Sequence, residues 1–189
     1  AALETPGIAG VRRSASQVEP VIRGLGWERV AIQLNHMPVY GACPGRMDPP
    51  LSYATGGGAE SVEIVKGLPS VTQGSAGTAG RVIVSSAYER SDTSQPWEPW
   101  LRAGSDGARE GWQGEAGLET GNNRGELKAH VEALDYGDYT SADGTPVPAR
   151  QSSMSAGFAT NLRTGSDARW WTSLGLREET DIDYPSLPM

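Results

Sequence analysis

Histidine and cysteine, which most often supply nucleophiles, general bases and soft metal ligands, are scarce in this sequence. Of 189 residues, two are histidine, His36 and His130, and one is cysteine, Cys43. A structural zinc site needs four such ligands at close spacing, so we expect no metal and no other cofactor. Cys43 and His36 could form a nucleophile pair across a loop, but no neighbouring residue marks an activated thiolate. We therefore predict that the protein is not an enzyme and assign no catalytic residue.

Carboxylates and tryptophans offer a second kind of chemistry. Glycoside hydrolases need only two carboxyl groups at a suitable separation. Glu115 and Glu119 are four residues apart, and Glu98 lies between two tryptophans. Sugar rings stack on aromatic side chains, so an extracellular carbohydrate-binding module or a small glycoside hydrolase is the alternative function. The stacking side chains of that alternative are Trp97, Trp100 and Trp112.

The tryptophans also suit a purely structural role. Large aromatic side chains are enriched at the centres of protein interfaces, where they bury much surface. We predict that the tryptophans anchor a core or a subunit interface. These interface or stacking candidates are Trp97, Trp100, Trp112, Trp170 and Trp171.

The charge composition disfavours several partners. Sixteen Lys and Arg residues stand against twenty-three Asp and Glu residues, which gives a net charge of −7 and a pI near 4.9. Such a charge opposes general attraction to phosphate backbones and anionic lipid. No stretch approaches the eighteen or so consecutive apolar residues of a membrane-spanning helix. We therefore expect no direct nucleic-acid partner and no membrane.

Glycine and proline set the fold class. The chain has 25 Gly and 13 Pro, a content that long helices do not tolerate. Period-2 alternation at 30–34 and 61–66 predicts strands. The apolar residues within 81–88 predict a strand buried on both faces, and further strands are predicted at 153–163 and 167–176. The sequence therefore predicts a mainly β fold, an antiparallel sandwich or a jelly-roll-like barrel, with one short N-terminal helix and extended terminal arms.

The N-terminal helix and the arms define the expected domain layout. Ser14 or Ser16 could cap a helix that ends at Gly24 or Gly26. Residues 1–13 are predicted to form an N-terminal arm, residues 14–177 a single β-rich domain, and residues 178–189 a C-terminal arm. Residues 38–58 contain four prolines and predict a long loop, and loops of such length are often functional.

A hairpin is predicted around Gly121–Gly125. Glycine and asparagine in this segment suit the positive φ angles of a hairpin turn. Its second arm, 126–134, alternates as a strand does, although Leu127, Val131 and Leu134 also fit one face of a helix. The turn residues favour the strand.

Together these features favour a non-enzymatic structural subunit of a large assembly. The catalytic inventory is weak, the Pro/Gly loops are long, and arms are predicted at both ends. Extended arms commonly reach neighbouring subunits. We predict a virion or phage capsid or tail component, homo- or hetero-oligomeric with other protein subunits and located in the virion. The extracellular space is the alternative location.

Overall fold

The computed structural model describes residues 5–14, 17–45, 47–53, 61–68, 77–85, 96–107, 110–165 and 168–184, and single positions 59, 70, 72 and 74. The chain divides into two compact units. The first comprises Ala1–Thr55, Ala59–Ser85 and Tyr184–Met189, and the second comprises Gly56–Gly58 and Ser86–Asp183. That residues 14–177 form one domain between two arms stays a prediction.

The first unit contains a hairpin and a four-stranded sheet. The hairpin pairs β1 with β2, and the sheet has the order β4-β3-β6-β5, in which only the β3–β6 pair is parallel among the described strands. Two 3-10 turns, Trp27–Arg29 and Pro50–Tyr53, connect these elements. The strands are β1 (Ile8–Arg12), β2 (Val18–Ile22), β3 (Val30–Leu34), β4 (Met37–Val39), β5 (Ser61–Lys66) and β6 (Gly80–Ser85).

Apolar side chains of β2, β3 and β6 form the core of the first unit. β-branched residues suit a pleated, buried surface, and Ile22 and Val82 are at most 1% exposed. The core cluster comprises Ile22, Val30, Ile32, Leu51, Ala79, Val82 and Val84. This unit therefore has the usual arrangement of apolar side chains inside.

Two glycines allow the chain before β6 to pack closely against its neighbours. A Cβ atom on Gly77 would lie 2.0 Å from the Arg29 carbonyl oxygen, and one on Gly80 would lie 2.2 Å from that of Val65. Gly80 also has a φ of +141°, which L side chains rarely adopt. At both positions the neighbouring backbone lies too close to admit a side chain.

The predicted N-terminal helix is wrong, because residues Val18–Ile22 form β2. The Ser14 hydroxyl does accept a hydrogen bond from the Gln17 N–H at 3.3 Å, as a helix cap would. The chain then extends, since β-branched Val18, Val21 and Ile22 pair with β1. A local capping signal was thus overridden by strand pairing.

The second unit is a five-stranded antiparallel sheet with the order β13-β12-β9-β8-β7. A two-residue pair, β10 (Tyr139–Thr140) with β11 (Pro146–Val147), lies in the connection from β9 to β12. The five strands are β7 (Trp97–Asp106), β8 (Gly111–Asn122), β9 (Gly125–Tyr136), β12 (Gln151–Arg163) and β13 (Arg169–Thr180).

The mainly β prediction and the antiparallel pairing are confirmed. The hairpin is also confirmed, with β8 and β9 as its arms. The predicted closed barrel is wrong, because both sheets are open in the described chain. In the second unit the sandwich is not formed either, since the apolar face that a second sheet would cover is exposed. Residues 86–88 of the strand predicted at 81–88, and residues 185–189 of the predicted C-terminal arm, lie outside the described residues.

Candidate functional site

The five-stranded sheet has two chemically different faces, which its register defines. Residues paired directly across strands share a face. The row Leu101, Ala116, Val131, Ala156 and Leu176 belongs to what we call the apolar face. The row Arg102, Glu115, Glu132, Ser155 and Arg177 belongs to the opposite side, which we call the polar face.

The apolar face is the exposed one. Leu101 is 78% exposed, Leu176 69% and Val131 56%. Eleven large hydrophobic side chains of the described part of this sheet are exposed, and all lie on this face: Trp97, Leu101, Trp112, Leu127, Val131, Met154, Phe158, Leu162, Trp170, Leu174 and Leu176. A contiguous exposed apolar surface of this kind indicates an interaction with apolar surroundings.

Charged and aromatic side chains interact on the polar face. Glu115 accepts a hydrogen bond from the Arg102 guanidinium at 3.1 Å, and the Glu119 carboxylate lies 3.4 Å from the Lys128 ammonium. The Trp100 ring lies between the two cations, with its centroid 4.6 Å from the Arg102 guanidinium carbon and 5.7 Å from the Lys128 nitrogen. These contacts offset the cost of partly burying charge.

Gly117 makes room for Trp100. A Cβ atom on Gly117 would lie 2.3 Å from the ring, so the indole packs directly over the bare backbone. A glycine inside a strand otherwise weakens it, and a close approach of this kind is one reason for its presence.

The first unit carries a loop closed by a carboxylate. Within Gly41–Asp48, which we call the Asp48 loop, Asp48 accepts hydrogen bonds from the backbone N–H groups of Ala42 at 2.6 Å and Cys43 at 3.0 Å. The Tyr53 hydroxyl donates to the same carboxylate at 2.5 Å. Burial raises the pKa of Asp48, but these hydrogen bonds outweigh burial and hold the pKa below its ordinary value of 3.8.

A cavity of about 400 Å³ lies beside this loop. Cys43 and Asp48 line it together with Trp27, Glu28 and Tyr40. Cys43 is a free, half-buried thiol, and Met47, four residues along the same loop, is also half-buried. Trp27 has a φ of +65°, an unusual backbone conformation for a bulky residue. The cavity is therefore lined by a thiol, two carboxylates and aromatic side chains.

The tryptophans singled out from the sequence lie on both faces of the sheet. Trp97, Trp112 and Trp170 are on the apolar face and exposed, whereas Trp100 and Trp171 are on the polar face and half-buried. Their role as interface or stacking residues stays a prediction.

The other candidate residues lie in more than one place. The acids Glu98, Glu115 and Glu119 share the polar face with His130. Cys43 lines the cavity of the first unit, whereas His36 does not. Among the described residues, no group of three or more His, Cys, Asp or Glu side chains could hold a metal ion.

Two features of the structure were missed from the sequence. Met47 was not paired with Cys43, although the spacing Cys-x-x-x-Met was visible. The apolar alternation at 126–134 was interpreted as a strand, without the inference that its apolar side is exposed. The signal that could have corrected this is length, because alternating strands of ten to thirteen residues match what a strand needs to cross a bilayer.

One family model matches the N-terminal part of the chain. Residues 1–81 match the family model described as TonB-dependent Receptor Plug Domain. Among curated proteins, none matches this sequence. No helix among the described residues is long and apolar enough to cross a membrane.

Solved structures share the fold over almost the whole chain. The copper transporter OprC is 24% identical, with a TM-score of 0.80, and the alignment covers 96% of this chain and 28% of that one. The FrpB iron transporter from Neisseria meningitidis is 18% identical, with a TM-score of 0.67, covering 94% and 28%. The siderophore receptor PirA from Pseudomonas aeruginosa is 15% identical, with a TM-score of 0.57, covering 94% and 30%. The chain thus spans less than a third of these proteins.

These comparisons overturn the predicted function. The virion or phage capsid subunit is wrong, and so is the carbohydrate-binding or hydrolase alternative, because the matched family and structures are receptors and transporters. The virion and extracellular locations and the expected absence of a membrane fail for the same reason. The membrane was wrongly excluded because a net charge of −7 says nothing about the character of one face of one sheet.

Proposed function

We propose that this chain is part of a TonB-dependent transporter of the bacterial outer membrane. Residues 1–81 would form its plug domain, and β7, β8, β9, β12 and β13 its first membrane-crossing strands. The observation that carries the proposal is the reversed polarity of the five-stranded sheet, in which the apolar face is exposed. The match of residues 1–81 to the plug family supports it.

The dimensions of the sheet fit a bilayer. Its strands are ten to thirteen residues long, and about 9–11 residues of tilted strand cross a membrane. Lipid provides no hydrogen-bond partners, so the free edges of β7 and β13 need further strands until the sheet closes on itself. Such strands would belong to the rest of a longer protein.

Three tryptophans would mark the two membrane surfaces. Trp97 and Trp170 lie toward the end of the apolar face that carries the Asn122–Gly125 turn, and Trp112 lies toward the opposite end. Aromatic side chains flank the apolar band of membrane sheets at both interfaces. The interface role of these tryptophans would therefore be toward lipid headgroups rather than toward another subunit.

The proposal also assigns partners. TonB would be a protein on which its function depends, as the description of the matched family indicates. The protein would bind and pass its cargo without catalysing a reaction, in agreement with a chain so poor in histidine and cysteine.

Neighbouring substitutions on opposite faces of β13 test membrane insertion. Leu174 is 55% exposed on the apolar face, and Ser173 is exposed on the polar face. An arginine on the lipid side of a membrane sheet costs about 2–4 kcal/mol near the midplane. We expect Leu174→Arg to lower the amount of protein recovered in the outer membrane in a heat-modifiable form by at least about tenfold.

Ser173→Arg is the matched control and should leave that amount within about twofold of wild type. In the proposed arrangement the polar face points away from lipid, so a charge there adds no free-energy cost of contact with lipid. Both variants are expressed in the longest form of the protein available and assayed by membrane fractionation and gel mobility with and without heating. If Leu174→Arg inserts as well as wild type, the apolar face does not contact lipid and the proposal is wrong.

We further propose copper as the cargo. OprC, which shares the fold, is described as a copper transporter, and soft thiolate and thioether ligands select Cu(I). The Asp48 loop holds one of each, Cys43 and Met47, and Cys43 lines the cavity of the first unit. The Asp48 carboxylate would position the loop by binding the backbone of Cys43.

Cu(I) binding by the purified protein tests the cargo, measured by competition with a coloured Cu(I) chelator. We expect Cys43→Ser to weaken Cu(I) binding at least about tenfold and Met47→Leu to weaken it less, because thiolate is the stronger ligand. Met37→Leu is the control, since Met37 is 63% exposed on β4. Equal Cu(I) affinity in wild type and Cys43→Ser would overturn the proposal that copper is the cargo. The proposal of membrane insertion would be unaffected.

A further inference from the structure

A cleft rich in arginine lies at one end of the polar face, the end that carries the β8–β9 and β12–β13 turns. Arg163 is the last residue of β12 and Arg169 the first of β13, and the register pairs them directly. The backbone N–H of Arg163 donates to the carbonyl of Arg124 at 2.8 Å, which joins the two turns. The cleft is lined by Asn122, Asn123, Arg124, Gly125, Glu126, Asn161, Arg163 and Arg169.

The charges in this cleft are not balanced. Like charges directly opposite each other on neighbouring strands destabilise a sheet. Within the described chain, the guanidinium groups of Arg124 and Arg163 have neither an ion pair nor a hydrogen bond. Glu126 supplies the one carboxylate among the lining residues, and Arg169, the third arginine of the cleft, already has an interaction partner. The excess of positive charge stands out in a chain whose net charge is −7.

The opposite end of the sheet shows the reverse pattern. The β7–β8 turn and the long β9–β12 connection lie there. In the sequence, the acids in or beside them are Asp106, Glu110, Asp135, Asp138 and Asp143, against the basic residues Arg109 and Arg150. Acidic residues thus outnumber basic residues at that end. Guanidinium groups bind phosphate oxygens in a planar, bidentate way, and the amide of Asn161 adds a neutral donor.

We propose that Arg124, Arg163 and Arg169 form a binding site for a phosphate group. The cleft encloses only about 30 Å³, so it would hold phosphate oxygens at its rim rather than a whole molecule. This inference rests on the proposed function for its setting, because the longest connection, β9–β12, lies at the opposite end and long loops mark the extracellular side of such sheets. The cleft would then lie on the periplasmic side. A phospholipid headgroup or free phosphate would be the ligand on that side.

Calorimetric titration of the full chain in neutral detergent with inorganic phosphate, at constant ionic strength, tests the site. We expect saturable binding to wild type and an association constant at least about tenfold lower for the double variant Arg163→Gln/Arg169→Gln, because both charged donors are lost. Arg150→Gln, which changes an exposed arginine beyond the opposite end of the sheet, should bind phosphate as wild type does.

A second titration, with short-chain phosphatidylglycerol and phosphatidylcholine, distinguishes the sources. Stronger binding of phosphatidylglycerol than of inorganic phosphate identifies a lipid headgroup, whereas the reverse identifies free phosphate. Arg124→Gln, in the turn, serves as a second variant if the double variant does not fold. Heat-modifiable mobility is measured on the same samples, so a loss of insertion is separated from a loss of the site. Unchanged phosphate binding in the variants, or no saturable binding to wild type, overturns the inference.

Discussion

Strands β6 and β13 place their apolar side chains in opposite environments. In β6, Val82, Ile83 and Val84 are at most 2% exposed. In β13, Trp170 and Leu176 are 68% and 69% exposed, while Arg177 and Glu179 of the same strand are half-buried and form an ion pair at 2.5 Å. Strand β6 thus buries its apolar side chains, whereas β13 exposes them. The difference shows that an apolar strand pattern does not by itself decide whether the side chains are buried.

The largest expected effect is on the free energy of unfolding when an apolar side chain is truncated, and it should differ between the two units. Ile22→Ala in the first unit removes a side chain that is 0% exposed, and the cavity left behind should cost about 2–5 kcal/mol of unfolding free energy. Leu176→Ala in the second unit leaves no cavity. In detergent it should cost less than about 1 kcal/mol, because its surroundings adapt to the smaller side chain. Thermal unfolding of both variants in the same detergent checks this.

A comparable loss of stability in both variants would show that protein, rather than detergent or lipid, covers Leu176. That result would break the contrast between the units. The contrast would be sharpened if Leu176→Ala changed detergent binding while leaving the unfolding temperature close to that of wild type.

A smaller effect is expected on the pH dependence of stability, through two carboxylates whose pKa is lowered by folding. Burial opposes the lowered pKa of Asp48, and hydrogen bonds from Tyr53, Ala42 and Cys43 outweigh it. The pKa of Asp143, in the β10–β11 turn, is lowered by hydrogen bonds from the Ser141 hydroxyl and the Thr145 backbone N–H. A pKa lowered by folding contributes stability above the ordinary value of 3.8 and loses it as pH falls through the folded-state pKa.

We therefore expect Asp48→Asn to unfold at a lower temperature than wild type at pH 6, with the difference shrinking below about pH 4. Asp143→Asn should show a weaker trend of the same sign, because Asp143 is fully exposed to solvent and screened. Melting temperatures from pH 2.5 to 7 provide the measurement. A difference for Asp48→Asn that stayed constant with pH would mean that its charge does not stabilise the loop.

Much of the local structure could be predicted from the sequence. Alternation predicted β3 and β5 within their observed bounds, and the Gly/Asn turn predicted the β8–β9 hairpin. The helix predicted after Ser14 was wrong because the same residues can form a helix cap or a tight turn. Only the pairing of β2 with β1 decides between the two. Local sequence patterns predict the structure correctly where they are compatible with only one backbone conformation.

The candidate site was less accessible to sequence reasoning. Cys43 was noted, but its link to Met47 depends on a loop that Asp48 closes by accepting the N–H groups of Ala42 and Cys43. The arginine cleft depends on register, since Arg124 is 39 residues from Arg163 along the chain and meets it only across β9 and β12. Contacts of this kind arise from pairing and leave no local pattern.

The sequence by itself determined that the chain is mainly β, where most long strands lie, and which residues alternate on their two faces, because side-chain direction follows from the pleat of a strand. It did not determine which face is exposed. Only the tertiary structure decided that Val82 faces a protein core and that Val131 and Leu176 do not. Alternation has the same period in water and in lipid, and the environment of each face depends on what packs against it.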